Sequence, residues 1–410
     1  MWLVGSLFFF YAFFQRLAPS VMVPELMRDF SVTALALGNL SAFYFWSYTS
    51  VQLPTGILAD YWGPRRLLVG AAAVCGAGSF MFATSDSLWA ASIGRLLVGL
   101  GAGFGFVCTL LIIAKWFPPR RLALLSGGTM MFGMLGGVGG QAPLAAVVAE
   151  HGWRPAMMAA GLFGIVLSMA AWLIVRDNRP VATGETARQV ESGASLVMGI
   201  RRALGRRQTW LIAGFGFFLL PPMFAFGALW GVPYLTQIHG LSRPDAAFSA
   251  SLILLGWGLF APVVGWLSDK WRRRKPAMVV AAALNCLTMA LLIYMPGWSP
   301  LMIKLILLAN GIATGGMVVM FAMGREHNRP ADTGAALAIV NMAVIGSGAA
   351  FQPLVGWLLD RGWTGIMMDG VRVYSETAYN DAFLVIPISC ALATILALSV
   401  RETYAEPKMD

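Results

Sequence analysis

The sequence predicts an all-α membrane protein of twelve transmembrane helices in two halves of six. Three observations carry that prediction. Of 410 residues, 58% are hydrophobic and only 12% charged, with a mean hydropathy of +0.71. A soluble chain carries about 25% charged residues, so most of this surface must face lipid. Apolar runs of roughly 20 residues recur along the chain, each long enough to cross about 30 Å of hydrocarbon. One loop signature also stands at the same place in both halves. The composition excludes a disordered chain, a secreted disulfide scaffold and a cytosolic enzyme.

Span 1 is placed at 2–24. It has no basic segment ahead of it and no small-residue cleavage site, so it is expected to be a retained helix and not a signal peptide. Span 2 (34–59) ends at the turn Trp62-Gly63-Pro64, and spans 3 (66–85) and 4 (88–114) follow up to Pro118-Pro119. Spans 5 (122–149) and 6 (154–176) complete the first half. In span 7 (209–237) the pair Pro221-Pro222 must break the hydrogen-bond ladder. Spans 8 (245–268) and 9 (276–296) follow, the latter closed by Pro296-Gly297. Span 10 (299–323) ends before Asn328-Arg329-Pro330, and spans 11 (334–359) and 12 (382–400) finish the chain. The runs are continuous, not alternating ten-residue segments, which favours helices over a barrel.

Charge sets the orientation. Of 29 Lys and Arg, 21 lie in the even-numbered connections and the C-terminal tail, five in the odd-numbered connections and three inside spans. The positive-inside rule then places both termini in the cytoplasm of a plasma (inner) membrane protein. The same asymmetry explains the net charge of +10 without a nucleic-acid partner. The longest connection, 177–208, separates an N-terminal half (1–176) from a C-terminal half (209–410). Within it Ser195–Leu204 is either a short amphipathic helix on the inner leaflet or a solvated linker.

After span 2 stands Gly56-Ile57-Leu58-Ala59-Asp60-Tyr61-Trp62-Gly63-Pro64-Arg65-Arg66. After span 8 stands Gly265-Trp266-Leu267-Ser268-Asp269-Lys270-Trp271-Arg272-Arg273-Arg274-Lys275. Each reads G-x-L-[AS]-D followed by a basic turn. The glycine allows two helices to approach closely, and the aspartate can cap a helix N-terminus or pair with the basic turn. A shallow polar contact of this kind can be broken and remade in a conformational cycle. The repeat points to a duplicated transporter.

With these motifs the chain resembles the major facilitator superfamily over nearly its whole length. Arg95 to Gly103 is similar to the R-x-x-x-G-x-x-x-G pattern of that family's fourth helix. Leu40 to Tyr48 with Gln52-Leu53-Pro54 resembles the second helix of its organic anion transporter branch. The resemblance implies two pseudo-symmetric six-helix bundles around a central cavity lined by helices 1, 4, 7 and 10, with alternating access by rocking. It also implies that Asp60 faces the N-terminal end of helix 11 in the outward-open state. Gly56, Asp60, Gly63, Arg65, Arg66, Gly265, Asp269 and Arg273 are the candidate gating residues. Span 5 holds seven glycines between Gly127 and Gly140, resembling the fifth helix of drug antiporters, although close packing alone accounts for them.

Three ionisable residues remain inside spans, all cationic: Arg16, Arg95 and Lys304. Each costs at least about 2.5 kcal/mol at mid-membrane, so each is a site candidate. If all three line the cavity, they form a trap for an anion, with arginine suited to bidentate carboxylate binding. Structural roles for Arg95 and headgroup snorkelling by Lys304 are the alternatives. Tyr44, Tyr48, Trp230, Asn310 and Asn341 are further candidate substrate contacts, with Gln52 and Tyr234 on the same faces.

No Asp, Glu or His lies in mid-span to carry a proton, so a uniporter or exchanger is favoured. A proton-coupled symporter and a drug or metabolite efflux antiporter are the alternatives. Cys75, Cys108, Cys286 and Cys390 are far apart, and no cluster suggests a metal or another cofactor. No activated nucleophile suggests an enzyme. The expected cargo is a small organic anion or zwitterion (a carboxylate, an amino acid or a short peptide), carried across the bilayer by a monomer.

Overall fold

The computed structural model describes residues 1–177, 193–329 and 332–406. The side chains of Gly56 and Asp60 in the first loop signature lie outside the described set. The chain folds into the expected helical membrane architecture. Among the described residues, ten helices are long and apolar enough to cross a membrane, and eleven when the bent pair at the N-terminus is taken as one span. The helical arm of residues 34–60 supplies the remaining span of the two six-helix bundles.

Span 1 runs as Trp2–Leu17, a turn over Ala18–Val21, and Val23–Asp29, bent by 69°. Pro19 and Pro24 sit in the first turns of the two later pieces, where a missing N–H costs little. The bend falls at Met22, between Val21 and Val23, six residues beyond Arg16. Spans 2 and 3 are two helices within Ala34–Thr84, parted at Gly63 in the expected Trp62-Gly63-Pro64 turn, where φ of 77° and ψ of 157° are not helical. A Cβ there would stand 2.8 Å from Asp177 Oδ1, so both conformation and space require glycine.

Span 4 is Leu88–Trp116, span 5 Leu124–His151 and span 6 Trp153–Ile174. A short helix, Gly193–Leu204, follows, as the amphipathic reading of the linker expected. Span 7 runs Arg207–Gln237 and is interrupted: after Pro221-Pro222 a π-helical segment spans Pro222–Trp230. Span 8 is Arg243–Lys270, span 9 Lys275–Tyr294, span 10 Pro300–Glu326 and span 11 Thr333–Arg361. Span 12, Glu376–Ser399, begins six residues before the apolar run, because Ser375 caps a polar first turn.

The two bundles meet along spans 2 and 11. At the end away from the termini, Asp360 of span 11 accepts the backbone amides of Ala34 (3.1 Å) and Leu35 (2.8 Å), capping span 2. Arg372 Nη1 (3.1 Å) and the Tyr374 hydroxyl (2.9 Å) donate to the same carboxylate. Next along the seam, a Cβ on Gly38 would lie 2.7 Å from the Gln352 carbonyl, and Gly348 lies against the Phe45 ring. Further along, Asn341 Nδ2 donates to Gln52 Oε1 at 2.9 Å. Spans 5 and 8 also meet, Gly137 against Leu254 and Gly258 against Met134. Glu25 and Arg243 pair between the bundles at the far end. The bundles are thus sealed at the face away from the termini.

At the termini face, each bundle is tied within itself by an acidic residue three positions beyond its last span. Asp177 Oδ1 accepts the Arg65 amide at 2.8 Å, capping span 3, and Arg65 also reaches the Trp172 carbonyl. Glu402 accepts the amides of Arg274 and Lys275, both at 2.9 Å, capping span 9. In the second loop signature Asp269 pairs with Arg274, which also binds Glu326 at 2.9 Å.

Candidate substrate site

Arg16 occupies the seam between the bundles and is 3% exposed. Its guanidinium carbon lies 4.4 Å from the Phe13 ring centre, 4.8 Å from Tyr48, 5.6 Å from Tyr44 and 5.9 Å from Phe224. Each position follows from its helix. Phe13 is one turn before Arg16 on span 1. Tyr44 and Tyr48 are one turn apart on span 2 with rings stacked at 6.0 Å. Phe224 comes from the π-helical segment of span 7 and is the opposite bundle's contribution.

Polar contacts to Arg16 are few. Nε donates to the Tyr44 hydroxyl at 3.4 Å, and that hydroxyl donates to the Ala12 carbonyl at 3.1 Å. Nη2 is buried without an acceptor. Among the described residues no carboxylate pairs with Arg16 or with Arg95. Cation–π contacts are worth about 0.5 to 2 kcal/mol each, and offset part of the cost of burying a charge. They provide no hydrogen-bond acceptor for Nη2. A guanidinium so held has a donor that an oxygen acceptor could take up.

Arg95 stands behind this cage, 1% exposed. Its Nη1 donates to the Gln15 carbonyl at 2.8 Å, and its guanidinium carbon is 5.1 Å from the Tyr44 ring. It buttresses span 1 and Tyr44. Gln15 donates to Tyr11 (2.8 Å) and Ser79 (2.9 Å), fixing the turn of span 1 that carries Arg16.

The remaining expected contacts do not join this group. Lys304 Nζ pairs with Asp245 at 3.5 Å near the far end of span 8, so a local carboxylate already balances it. Asn310 donates to Thr288 at 2.9 Å within the C-terminal bundle, because its face of span 10 packs on span 9. Trp230 donates to the Gln352 carbonyl at 3.0 Å and is buried. Asn341 is engaged by Gln52 across the seam. In the loop signatures, the buried partner of Asp269 is Arg274. Arg273, expected there, is exposed, as is Arg66. A Cβ on Gly265 would meet only Val318 at 3.6 Å, so no close helix approach requires that glycine here.

Phe13 and Phe224 escaped the sequence reading, as did two buried glutamines. Gln141 Nε2 donates to the Gly227 carbonyl and Gln352 Nε2 to the Phe224 carbonyl, both at 2.7 Å. They hold the π-helical segment from spans 5 and 11. The Pro221-Pro222 break was the one available signal for these contacts. Among the described residues, no group of three or more His, Cys, Asp or Glu is placed to hold a metal.

The family model of the Major Facilitator Superfamily matches residues 4–353 and 222–408. The chain is 28% identical to the membrane sensor protein UhpC of Salmonella typhimurium, covering 98% of this chain and 92% of that protein. It is 25% identical to the 4-hydroxybenzoate transporter PcaK of Pseudomonas putida over 67% of each chain. Among solved structures it resembles a bacterial homologue of the human lysosomal transporter Spinster in an inward-facing, unoccupied conformation. There the TM-score is 0.77 and the identity 16%, over 98% of this chain and 97% of that one.

Proposed function

We propose that this chain, which belongs to the Major Facilitator Superfamily and is a multi-pass membrane transporter rather than an enzyme, carries a small organic anion bearing one carboxylate and a flat apolar body. The observation that carries this reading is the buried Arg16 guanidinium, ringed by Phe13, Tyr44, Tyr48 and Phe224, with Nη2 unpartnered. Of the three cations, Arg16 is the one ringed by side chains of both bundles, which suits a single carboxylate; Lys304 is balanced by Asp245, and Arg95 lies behind Tyr44, giving Nη1 to the Gln15 carbonyl with Nε and Nη2 also buried without an acceptor. The aromatic walls suit an aromatic or short aliphatic acid, the chemistry named for the Pseudomonas putida relative.

The bundles are closed at the face opposite the termini. With both termini in the cytoplasm of the inner membrane, this is the inward-facing half of an alternating-access cycle, and the closing contacts are Asp360 with span 2 and Glu25 with Arg243. Domains 1–176 and 209–410 rock about the linker 177–208. The absence of a mid-span carboxylate or histidine supports uniport or exchange. The loop signatures serve as the opposing contacts, with Asp60 and Asp269 at their centres.

The test is uptake of labelled 4-hydroxybenzoate into proteoliposomes. The expected result is counterflow driven by internal unlabelled 4-hydroxybenzoate, without a pH gradient. Accumulation only when a proton gradient is imposed assigns symport instead. A second reading, ligand sensing without net transport, is favoured by the near full-length likeness to a membrane sensor. It predicts binding of 4-hydroxybenzoate with no counterflow.

A further inference from the structure

At the termini face, well away from Arg16, the start of span 7 meets the ends of spans 10 and 12 around an open cavity of about 240 Å³. It is lined by Arg206, Arg207, Gln208, His327 and Arg401, and no carboxylate is among these lining residues. The walls are built. Arg206 Nη1 donates to the His327 carbonyl at 2.6 Å, and the His327 ring meets the Arg401 carbonyl at 3.0 Å. The Arg401 amide donates to Gln208 Oε1 at 3.2 Å. Arg206 and Arg207 bring two neighbouring guanidinium groups to this cavity, and an anion between them relieves their repulsion.

The surroundings say which anion. Trp210, one turn into span 7, is 56% exposed, and its indole N–H donates to the Leu204 carbonyl at 2.8 Å. Leu204, which ends the short helix Gly193–Leu204, is exposed beside it, and Met198 of the same helix is exposed too. Arg202 of the same helix pairs with Asp332 at 2.9 Å, docking the helix on the start of span 11. A tryptophan at a span end, an amphipathic helix with bare apolar side chains and a cationic cavity between them are the parts of a membrane-interface site. A free phosphate would use the arginines and leave the apolar side chains idle. A lipid uses both.

We propose that this cavity binds the phosphodiester headgroup of an anionic phospholipid, with Arg206 and Arg207 on the phosphate and the acyl chains running past Trp210 and Leu204. Guanidinium suits phosphate oxygens through paired N–H donors. The site lies at the junction of the linker helix, span 7 and span 12, and so tethers that helix to the leaflet.

The test is thermal unfolding of purified protein in detergent with added phosphatidylglycerol, phosphatidylcholine or inorganic phosphate. Wild type is expected to gain stability with phosphatidylglycerol only. Arg207→Gln and the double variant Arg206→Gln/Arg207→Gln are expected to need about tenfold or more lipid for the same gain. Arg206→Lys/Arg207→Lys keeps most of it. Binding of 4-hydroxybenzoate serves as the folding control for every variant. An undiminished phosphatidylglycerol response in both Gln variants overturns the proposal. So does an equal gain from inorganic phosphate, which would make this a free-anion site.

Discussion

Arg16 and Tyr44 are joined by one hydrogen bond, Nε to the phenolic oxygen at 3.4 Å, and the Tyr44 proton is already given to the Ala12 carbonyl. Tyr44 can therefore only accept from Arg16. It fixes the guanidinium while leaving Nη2 for a ligand.

Arg16→Gln removes the charge and keeps much of the stem. A charge-assisted hydrogen bond is worth about 1.5 to 3 kcal/mol, so affinity for 4-hydroxybenzoate should fall by about tenfold to a hundredfold. The unliganded protein should melt no lower than wild type, since a buried cation is removed. Titration calorimetry on both proteins checks this. Unchanged affinity places the ligand elsewhere.

Asp360→Asn weakens the cap that joins span 11 to the amides of Ala34 and Leu35. Loss of the charge should shift the bundles toward opening at the far face by about 1 to 3 kcal/mol. Ser41, buried on the same stripe of span 2, reports this as Ser41→Cys in a background lacking the four native cysteines. Its labelling by a membrane-impermeant maleimide should rise severalfold.

Gly38→Ala tests the seam sterically. The added methyl would stand 2.7 Å from the Gln352 carbonyl, and a backbone atom cannot turn aside. Overpacking of this kind costs about 1 to 3 kcal/mol. The variant should still fold and be labelled readily at Ser41→Cys, yet exchange at least about tenfold more slowly. Gly346→Ala, with open space around it, is the control.

His239, between spans 7 and 8, is held below the ordinary histidine pKa by burial. Its ring packs edge-on against Tyr234 at 5.1 Å and Nε2 is buried without a partner. The folded state favours the neutral ring, so the unfolded chain binds more protons as the solution is acidified. The contribution is complete above the unfolded pKa of about 6.5 and is lost as pH falls through that value toward the folded one. The melting temperature should drop between pH 7.5 and 5.5, and His239→Gln should flatten that slope.

Span number and the repeated loop signature were legible in the sequence because hydropathy and glycine–aspartate spacing are local. Helix rotation was not. Asn310 and Lys304 sit in correctly placed spans, yet one faces span 9 and the other Asp245, because lipid and protein neighbours are equally apolar and leave no periodic mark. Arg16 stood out because a buried charge is costly on any face. Its rings did not, since Phe224 reaches it only through the π-helical turn. The choice of Arg274 over Arg273 depends on the turn at Arg272, where φ is 52°.

The most direct measurement is calorimetric binding of an isosteric pair, benzoate and benzamide, to wild type and Arg16→Gln. If Nη2 awaits a carboxylate, benzoate binds wild type at least about tenfold more tightly than benzamide, and Arg16→Gln erases the difference. Equal binding of the two compounds to wild type, or a preference that survives in Arg16→Gln, contradicts it.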